Sequence, residues 1–185
     1  TTANYQLNKD PVAVKKGDIV TYTFRVYNEG TLNGYAQEIT EDVPEGLEFL
    51  YFKGTVTSID DLKEQLANDE TLSQAEKDAI LFNSEQLWTF DEDKIDENGR
   101  VTEIHTDYLS QENGTVEDGK NSNLIEAFGK NDGTKTENDL HYKEVSVKFK
   151  VIAENSTDDI IRNEAAITED SDEENEPVDD RDSDT

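Results

Sequence analysis

The composition of the chain excludes several classes of partner. Its 185 residues include 45 Asp and Glu against 17 Lys and Arg, which gives a formal net charge of −28. This surplus repels phosphate backbones and anionic lipid surfaces, so neither nucleic acid nor direct membrane contact is expected. Cysteine is absent, which excludes disulfides, thiolate nucleophiles and cysteine zinc ligands. The abundant carboxylates are instead the type of ligand that calcium prefers.

Alternating segments in the first third of the chain predict β-strands. Between Asp18 and Asn28 every second residue is apolar, which is typical of a strand with one buried face; these residues are Val20, Tyr22, Phe24 and Val26. A second alternating segment runs from Tyr35 to Val43 and stops at Pro44. A third begins at Leu47, after the turn that Glu45 and Gly46 predict.

The middle of the chain has a different period. Between about residues 58 and 83 the apolar spacing is helical, and Ser73 with Glu76 forms a capping box, so two short helices are predicted. A β-hairpin is predicted next, with strands at residues 88–90 and 101–106 and a turn at Asn98-Gly99. The acidic residues before that turn, Asp91, Asp93 and Asp96, are interpreted as turn formers. Residues 110–139 are predicted to be mostly loop.

Strand patterns return near the C-terminus, at residues 144–151 and 161–167. The expected fold is mainly β, an antiparallel sandwich interrupted by a mixed helical and hairpin insertion at about residues 53–139. Residues 1–168 are expected to form a single domain, and residues 169–185 an acidic closing segment or linker. The abrupt start at Thr1 and the acidic end lead us to expect a piece of a longer polypeptide.

Three polar residues fall on faces that are otherwise apolar. Lys9 shares a face with Tyr5 and Leu7, Glu41 lies between Ile39 and Val43, and Asn163 lies between Ile161 and Ala165. Because buried polar groups are costly without partners, Lys9, Glu41 and Asn163 are predicted to meet inside the sandwich.

Two interpretations of this trio are open. In a dry pocket the pKa of a lysine falls and that of a glutamate rises, so a neutral Lys9 amine can attack the Asn163 amide while Glu41 moves protons. The product is an isopeptide bond, and ammonia is released. Alternatively, Lys9 and Glu41 form an ordinary ion pair near the sheet edge, and Asn163 only satisfies backbone groups.

At the same residues the chain resembles the isopeptide-forming fimbrial domains and conserved repeat domains of Gram-positive surface proteins. The resemblance rests on KKGDIVTYTFRVYNEG at residues 15–30, EITEDVPEGLEF at residues 38–49 and IIRNEAAITEDSDEENEPVDDRDS at residues 160–183. It covers the two ends of the chain and leaves out the helices and the segment around Trp88. The family's usual aspartate is replaced here by Glu41.

The resemblance implies an Ig-like sandwich that is extracellular, on a cell wall or pilus, and repeated in tandem along a stalk. Its partners are then the neighbouring repeats of the same polypeptide. The family also implies, in some members, a cross-link in which Lys9, Glu41 and Asn163 take the roles of nucleophile, proton shuttle and acceptor. A structural or adhesive role is therefore expected, and at most one self-directed reaction rather than enzymatic turnover.

Two acidic trios near the C-terminus are candidate calcium ligands. In each, carboxylates alternate along an extended segment; the trios are Asp170, Asp172, Glu174 and Asp180, Asp182, Asp184. The spacing does not match an EF-hand loop, and a solvated acidic linker is the alternative. No cofactor is required by any motif.

The rival hypothesis is a binding module. Long ordered insertions often carry ligand surfaces, so residues 53–139 are the candidate surface for a host matrix protein or glycan. The aromatic residues to test there are Trp88, Tyr108 and Phe128. His105 and His141 have no partner at metal-ligand spacing and are interpreted as strand or surface residues.

Overall fold

The structure is a computed structural model that describes residues 12–129, 133–136, 139–153, 161 and 163–178. Within these residues the chain forms eight strands and two α-helices, in the order β1, β2, β3, α1, α2, β4, β5, β6, β7, β8, with one 3-10 turn at Glu92–Lys94 between α2 and β4. The strands are β1 (Ile19–Tyr27), β2 (Gly34–Asp42), β3 (Leu47–Phe49), β4 (Glu103–Thr106), β5 (Val116–Glu117), β6 (Lys120–Asn121), β7 (Tyr142–Val151) and β8 (Glu164–Asp172). The helices are α1 (Ile59–Asn68) and α2 (Gln74–Glu85).

The two larger sheets are antiparallel and three-stranded. One has the strand order β1-β7-β3 and the other the order β4-β2-β8, while β5 and β6 form a small separate hairpin. We refer to the first two as sheet A and sheet B. The predicted mainly β, antiparallel architecture is therefore confirmed, and the two sheets share one core in a sandwich-like arrangement.

That core is built from the apolar faces that the alternation predicted. Val145, Val147 and Phe149 of β7 are almost completely buried, and they pack with Ile39 of β2 and Ile104 of β4. Burial of such side chains is worth roughly 1.5–3 kcal/mol each. The outward residues of β1 and β7 pair across the strands, as in the ion pair between Arg25 and Glu144.

The two helices form a second, smaller core. Leu62 and Leu66 of α1 and Ala79 and Ile80 of α2 are buried together with Leu50, which follows β3. Their starts follow from local sequence, because the hydroxyl of Ser58 caps α1 and that of Ser73 caps α2. Both predicted helices, and the predicted capping box, are confirmed.

The predicted insertion at residues 53–139 is not a separate appendage. β4 lies inside it, yet it pairs with β2 as an edge strand of sheet B, with Glu41 opposite Ile104. Ile125 of the predicted loop region also bridges to Gly34 and is buried in the main core. The helices and the β5–β6 hairpin are the parts of the insertion that stand outside the sandwich core.

The hairpin and the acidic turn agree with prediction in part. Thr89 pairs with His105 and Ile95 with Val101 through isolated bridges, so the arms meet without a continuous ladder. Between them the Asp96 carboxylate accepts hydrogen bonds from the backbone of Asn98 and Arg100. Asp96 therefore shapes the turn, as expected.

The last strand extends beyond the predicted domain boundary. β8 continues to Asp172, four residues past position 168, and pairs with β2 over its full length with a bulge near Glu38. The chain then turns, because the Asp172 carboxylate accepts hydrogen bonds from the backbone of Glu174 and Glu176. The start of the acidic segment thus belongs to the sandwich.

We expect Ser73→Ala to lower the free energy of unfolding by about 1 kcal/mol, because it removes the side-chain half of the α2 capping box. Urea denaturation measures this. Ser84→Ala is the control, since that hydroxyl donates only to a carbonyl within the same helix, and it is expected to change stability little. Equal stability of the two variants would contradict the assignment.

Candidate functional site

Glu41 is the most unusual side chain of the described core. It lies on β2 between Ile39 and Val43, and it is completely buried (0% exposed). Ile104 of β4 lies opposite it on one side and Ala165 of β8 on the other. The strand alternation that buries its apolar neighbours therefore also buries the carboxyl group.

Neither carboxyl oxygen of Glu41 has a hydrogen-bond partner among the described residues. No ion pair found among those residues includes Glu41. An ionised carboxylate in such surroundings costs several kcal/mol unless it is paired. The carboxyl group is thus held in a position that requires either a proton or a partner.

The protonation of Glu41 follows from this burial. The pKa of Glu41 is raised from 4.5 to about 8, chiefly because burial removes water from the carboxyl group; Asn163 offsets part of this rise, and the nearby charge of Asp42 adds to it. At neutral pH the side chain is therefore mostly a neutral acid that can donate a hydrogen bond. This is the protonation state that the sequence-based mechanism requires.

Asn163 lies next to Glu41, just before β8 begins. Its amide oxygen is also buried and has no hydrogen-bond partner among the described residues. The amide is close enough to affect the pKa of Glu41, but no contact between the two side chains has hydrogen-bond geometry. We therefore treat Glu41 and Asn163 as neighbours that share one polar pocket.

Tyr22 of β1 also faces this pocket, and the sequence analysis did not single it out. Burial raises the pKa of its phenol, and the charge of Glu41 raises it as well. Its ring packs edge-on against Phe149, with ring centroids 5.8 Å apart. The available signal was its place on the inward face of β1, where a hydroxyl requires a polar neighbour or solvent.

The third member of the predicted trio, Lys9, lies outside the described residues. The pairing of β2 with β8 brings together the other two predicted site residues, Glu41 and Asn163. The nearest described lysines along the sequence, Lys15 and Lys16, are exposed.

The predicted calcium ligands do not form a metal centre within the described residues, where no group of three or more Asp, Glu or His side chains is arranged to hold an ion. Asp172 instead accepts backbone hydrogen bonds in the turn after β8. Asp170 lies on β8 opposite Ala36, and Glu174 is exposed. The second trio, Asp180, Asp182 and Asp184, lies outside the described residues.

The aromatic residues predicted to contact a ligand are packed into the protein. Trp88 is 6% exposed, and its indole N–H donates to the carbonyl of Ser146. Phe128 is 8% exposed, and Tyr108 is partly buried against the main core. Trp88 and Phe128 therefore act as core residues, and their burial does not fit the predicted ligand surface.

The histidines occupy ordinary positions. His105 is part of β4 and pairs with Thr89, and the ring of His141 lies 3.2 Å from the carboxylate of Glu126 at the surface.

The comparisons with known proteins give no relative: no family model matches the chain, and neither a curated protein nor a solved structure matches it significantly. Among the helices of the described residues, none is both long and apolar enough to span a bilayer.

We expect a chain that carries Lys9→Ala to become less stable as the pH rises from about 5 to about 8. The pKa of Glu41 is higher in the folded state (about 8) than its ordinary value of 4.5. Its stabilising contribution is therefore complete below pH 4.5 and is lost as the pH rises through 8. At about 1.4 kcal/mol per unit, the loss is up to about 5 kcal/mol.

Urea denaturation across this pH range measures the effect, and the double variant Lys9→Ala/Glu41→Gln is the control because its amide does not titrate. The difference in unfolding free energy between the two chains should change with pH. A constant difference would show that Glu41 is not a buried acid.

Proposed function

We propose that the chain is a structural module of an extracellular bacterial surface protein, stabilised by a self-formed isopeptide bond between Lys9 and Asn163. The observation that supports this most directly is the pocket of Glu41 and Asn163, with three buried oxygen atoms that have no hydrogen-bond partner among the described residues. Such a pocket is expected to be completed by a donor.

The missing donor has defined chemistry. It must reach two carboxyl oxygens and one amide oxygen, and it must come from a residue that the pocket does not yet contain. A lysine amine provides several N–H donors on a flexible stem. Lys9 is the residue that the sequence pattern assigns to this place, on the inward face of a first strand.

The proposed reaction balances without any other reactant. The neutral Nζ of Lys9 attacks Cγ of Asn163, while protonated Glu41 donates a hydrogen bond to Oδ1 of Asn163. Glu41 then transfers a proton from Nζ to the departing Nδ2. The Nζ–Cγ bond forms, the Cγ–Nδ2 bond breaks, and ammonia leaves, so nothing is oxidised or reduced.

The reaction requires a group that moves protons, a neutral amine and the exclusion of water, and the pocket favours all three. A carboxyl group with a pKa of about 8 is poised both to donate and to accept a proton near neutral pH. Burial also favours the neutral form of an amine, which is the nucleophile. The apolar neighbours Ile39, Val43 and Ile104 limit the access of water.

The proposed role is mechanical. β8 is the last strand of the described sandwich, and Lys9 precedes β1, so the bond would join the two ends of the domain. Tension applied to the termini would then pass through the covalent bond rather than through the hydrogen bonds between β2 and β8. Such a bond would resist unfolding under tension if the chain is an Ig-like sandwich in a stalk of tandem repeats.

We expect the purified chain to be lighter than its sequence mass by one ammonia, as intact-mass spectrometry measures. Lys9→Ala, Glu41→Gln and Asn163→Ala should each show the full sequence mass for that variant. Glu41→Gln is the most informative, because it keeps the shape of the side chain and removes only the titrating group.

Lys15→Ala is the matched control, since Lys15 is exposed and should leave the deficit in place. A full mass for the unaltered chain would exclude the cross-link and leave an ion pair between Lys9 and Glu41 as the interpretation. The sandwich would then be a module held by non-covalent interactions alone.

A further inference from the structure

The second half of α2 and the residues that follow it lie along an open edge of sheet A. β3 pairs with β7 only through Leu47–Phe49, opposite residues 149–151. Beyond this point β7 continues for seven residues, and an uncovered edge of this kind is a template for another strand. The segment from Asn83 to Thr89, which we call the edge clamp, lies along the part of this edge next to β3, at Ser146 and Lys148.

Three side chains of the edge clamp reproduce the hydrogen bonds of a strand. The Asn83 amide accepts from the Lys148 N–H (2.8 Å) and donates to the Lys148 carbonyl (2.9 Å). The next contact is two residues away on β7, where the Ser146 N–H donates to the side-chain oxygen of Gln86 (3.2 Å). The Trp88 indole donates to the Ser146 carbonyl (2.8 Å).

The spacing of these contacts is that of a β-ladder. The residues of β7 that point their backbone groups to one edge recur at every second position, and the clamp contacts 146 and 148, while Lys150 lies opposite Glu48 of β3. The Asn83 amide also donates to the carbonyl of Leu50 (2.9 Å), directly after β3 ends. The clamp therefore begins where the backbone pairing stops.

The same segment reaches the edge of sheet B. Thr89 exchanges two backbone hydrogen bonds with His105 of β4, at 3.0 and 2.9 Å. The hydroxyl of Thr106 donates to the Gln86 carbonyl (2.7 Å). Seven consecutive residues thus bind β7 of sheet A with side chains and β4 of sheet B with backbone, which connects the two sheets along one side.

We infer that the edge clamp closes this side of the sandwich against the addition of a further strand, and that the partner it excludes is a second copy of the chain. A second copy is the relevant partner because tandem or concentrated copies present the same β7 edge to one another, and antiparallel pairing of identical edges is self-complementary. The clamp binds β7 with side chains and not with its backbone. It therefore does not add a new strand whose outer edge could pair in turn.

The burial of the clamp residues supports this assignment. Asn83 is 1% exposed and Trp88 is 6% exposed, so the amide oxygen of Asn83 and the indole N–H of Trp88 would be unpaired in the interior without their contacts to β7. The end of α2 does not depend on these two contacts with β7, because it is closed by a backbone hydrogen bond from the Gln86 N–H to the Phe82 carbonyl. Asn83 and Trp88 are therefore matched to the edge of β7 rather than to α2.

The test uses the full chain and the triple variant Asn83→Leu/Gln86→Leu/Trp88→Phe. We expect the amide protons of Ser146 and Lys148 to exchange at least roughly tenfold faster in the variant. We also expect the variant to dimerise with rising concentration, while the unaltered chain stays monomeric, as light scattering after size exclusion measures. Gln74→Ala is the matched control, since Gln74 lies on α2 and bonds only to the exposed Asp78.

Faster exchange in a variant that stays monomeric would overturn the inference, as would a dimer of the unaltered chain that pairs through β7. If the triple variant does not fold, Gln86→Ala alone provides the decision. It should accelerate exchange at Ser146, leave Lys148 unchanged and produce a dimer at high concentration; equal exchange at Ser146 in both chains, or faster exchange in a variant that stays monomeric, would overturn the inference.

Discussion

The burial of the Glu41 carboxyl group is the constraint on which the account of this protein depends. A strand that places Ile39 and Val43 in the core must place residue 41 there as well, because side chains alternate. The sequence has a glutamate at that position, and the described structure gives it neither a hydrogen bond nor an ion pair. Burial raises its pKa to about 8, and the proposed chemistry follows from that one consequence.

The strand pairing then determines what the carboxyl group can act on. Because β8 pairs with β2 and places Ala165 opposite Glu41, Asn163, which directly precedes β8, lies beside the same pocket. A shift of register by one residue would turn Glu41 out to solvent and remove the pocket. The paired apolar residues of the core thus serve the site by holding this register.

Much of this arrangement could be predicted because it depends on local patterns. Period-two alternation identified β1, β2 and β7, and the pair of Ser73 and Glu76 identified the start of α2. The inward orientation of Glu41 followed from the same alternation. The placement of Asn163 next to it was expected because two buried polar groups need one another.

The parts that could not be predicted depend on contacts between distant segments. The four-residue strand β4 has too weak a pattern to show that it belongs to sheet B rather than to an insertion. Trp88 looked like a ligand contact because its partner, the carbonyl of Ser146, is 58 residues away in the sequence. Asn83 gave a usable signal, since it lies three residues after the buried Ile80 on the apolar face of α2.

The most direct test of the central claim is tandem mass spectrometry of a tryptic digest of the full chain. The account predicts a branched peptide, in which the segment ending at Lys15 remains uncut at Lys9 and is joined to the segment that begins at Asn163. Separate linear peptides, with cleavage after Lys9, would contradict it.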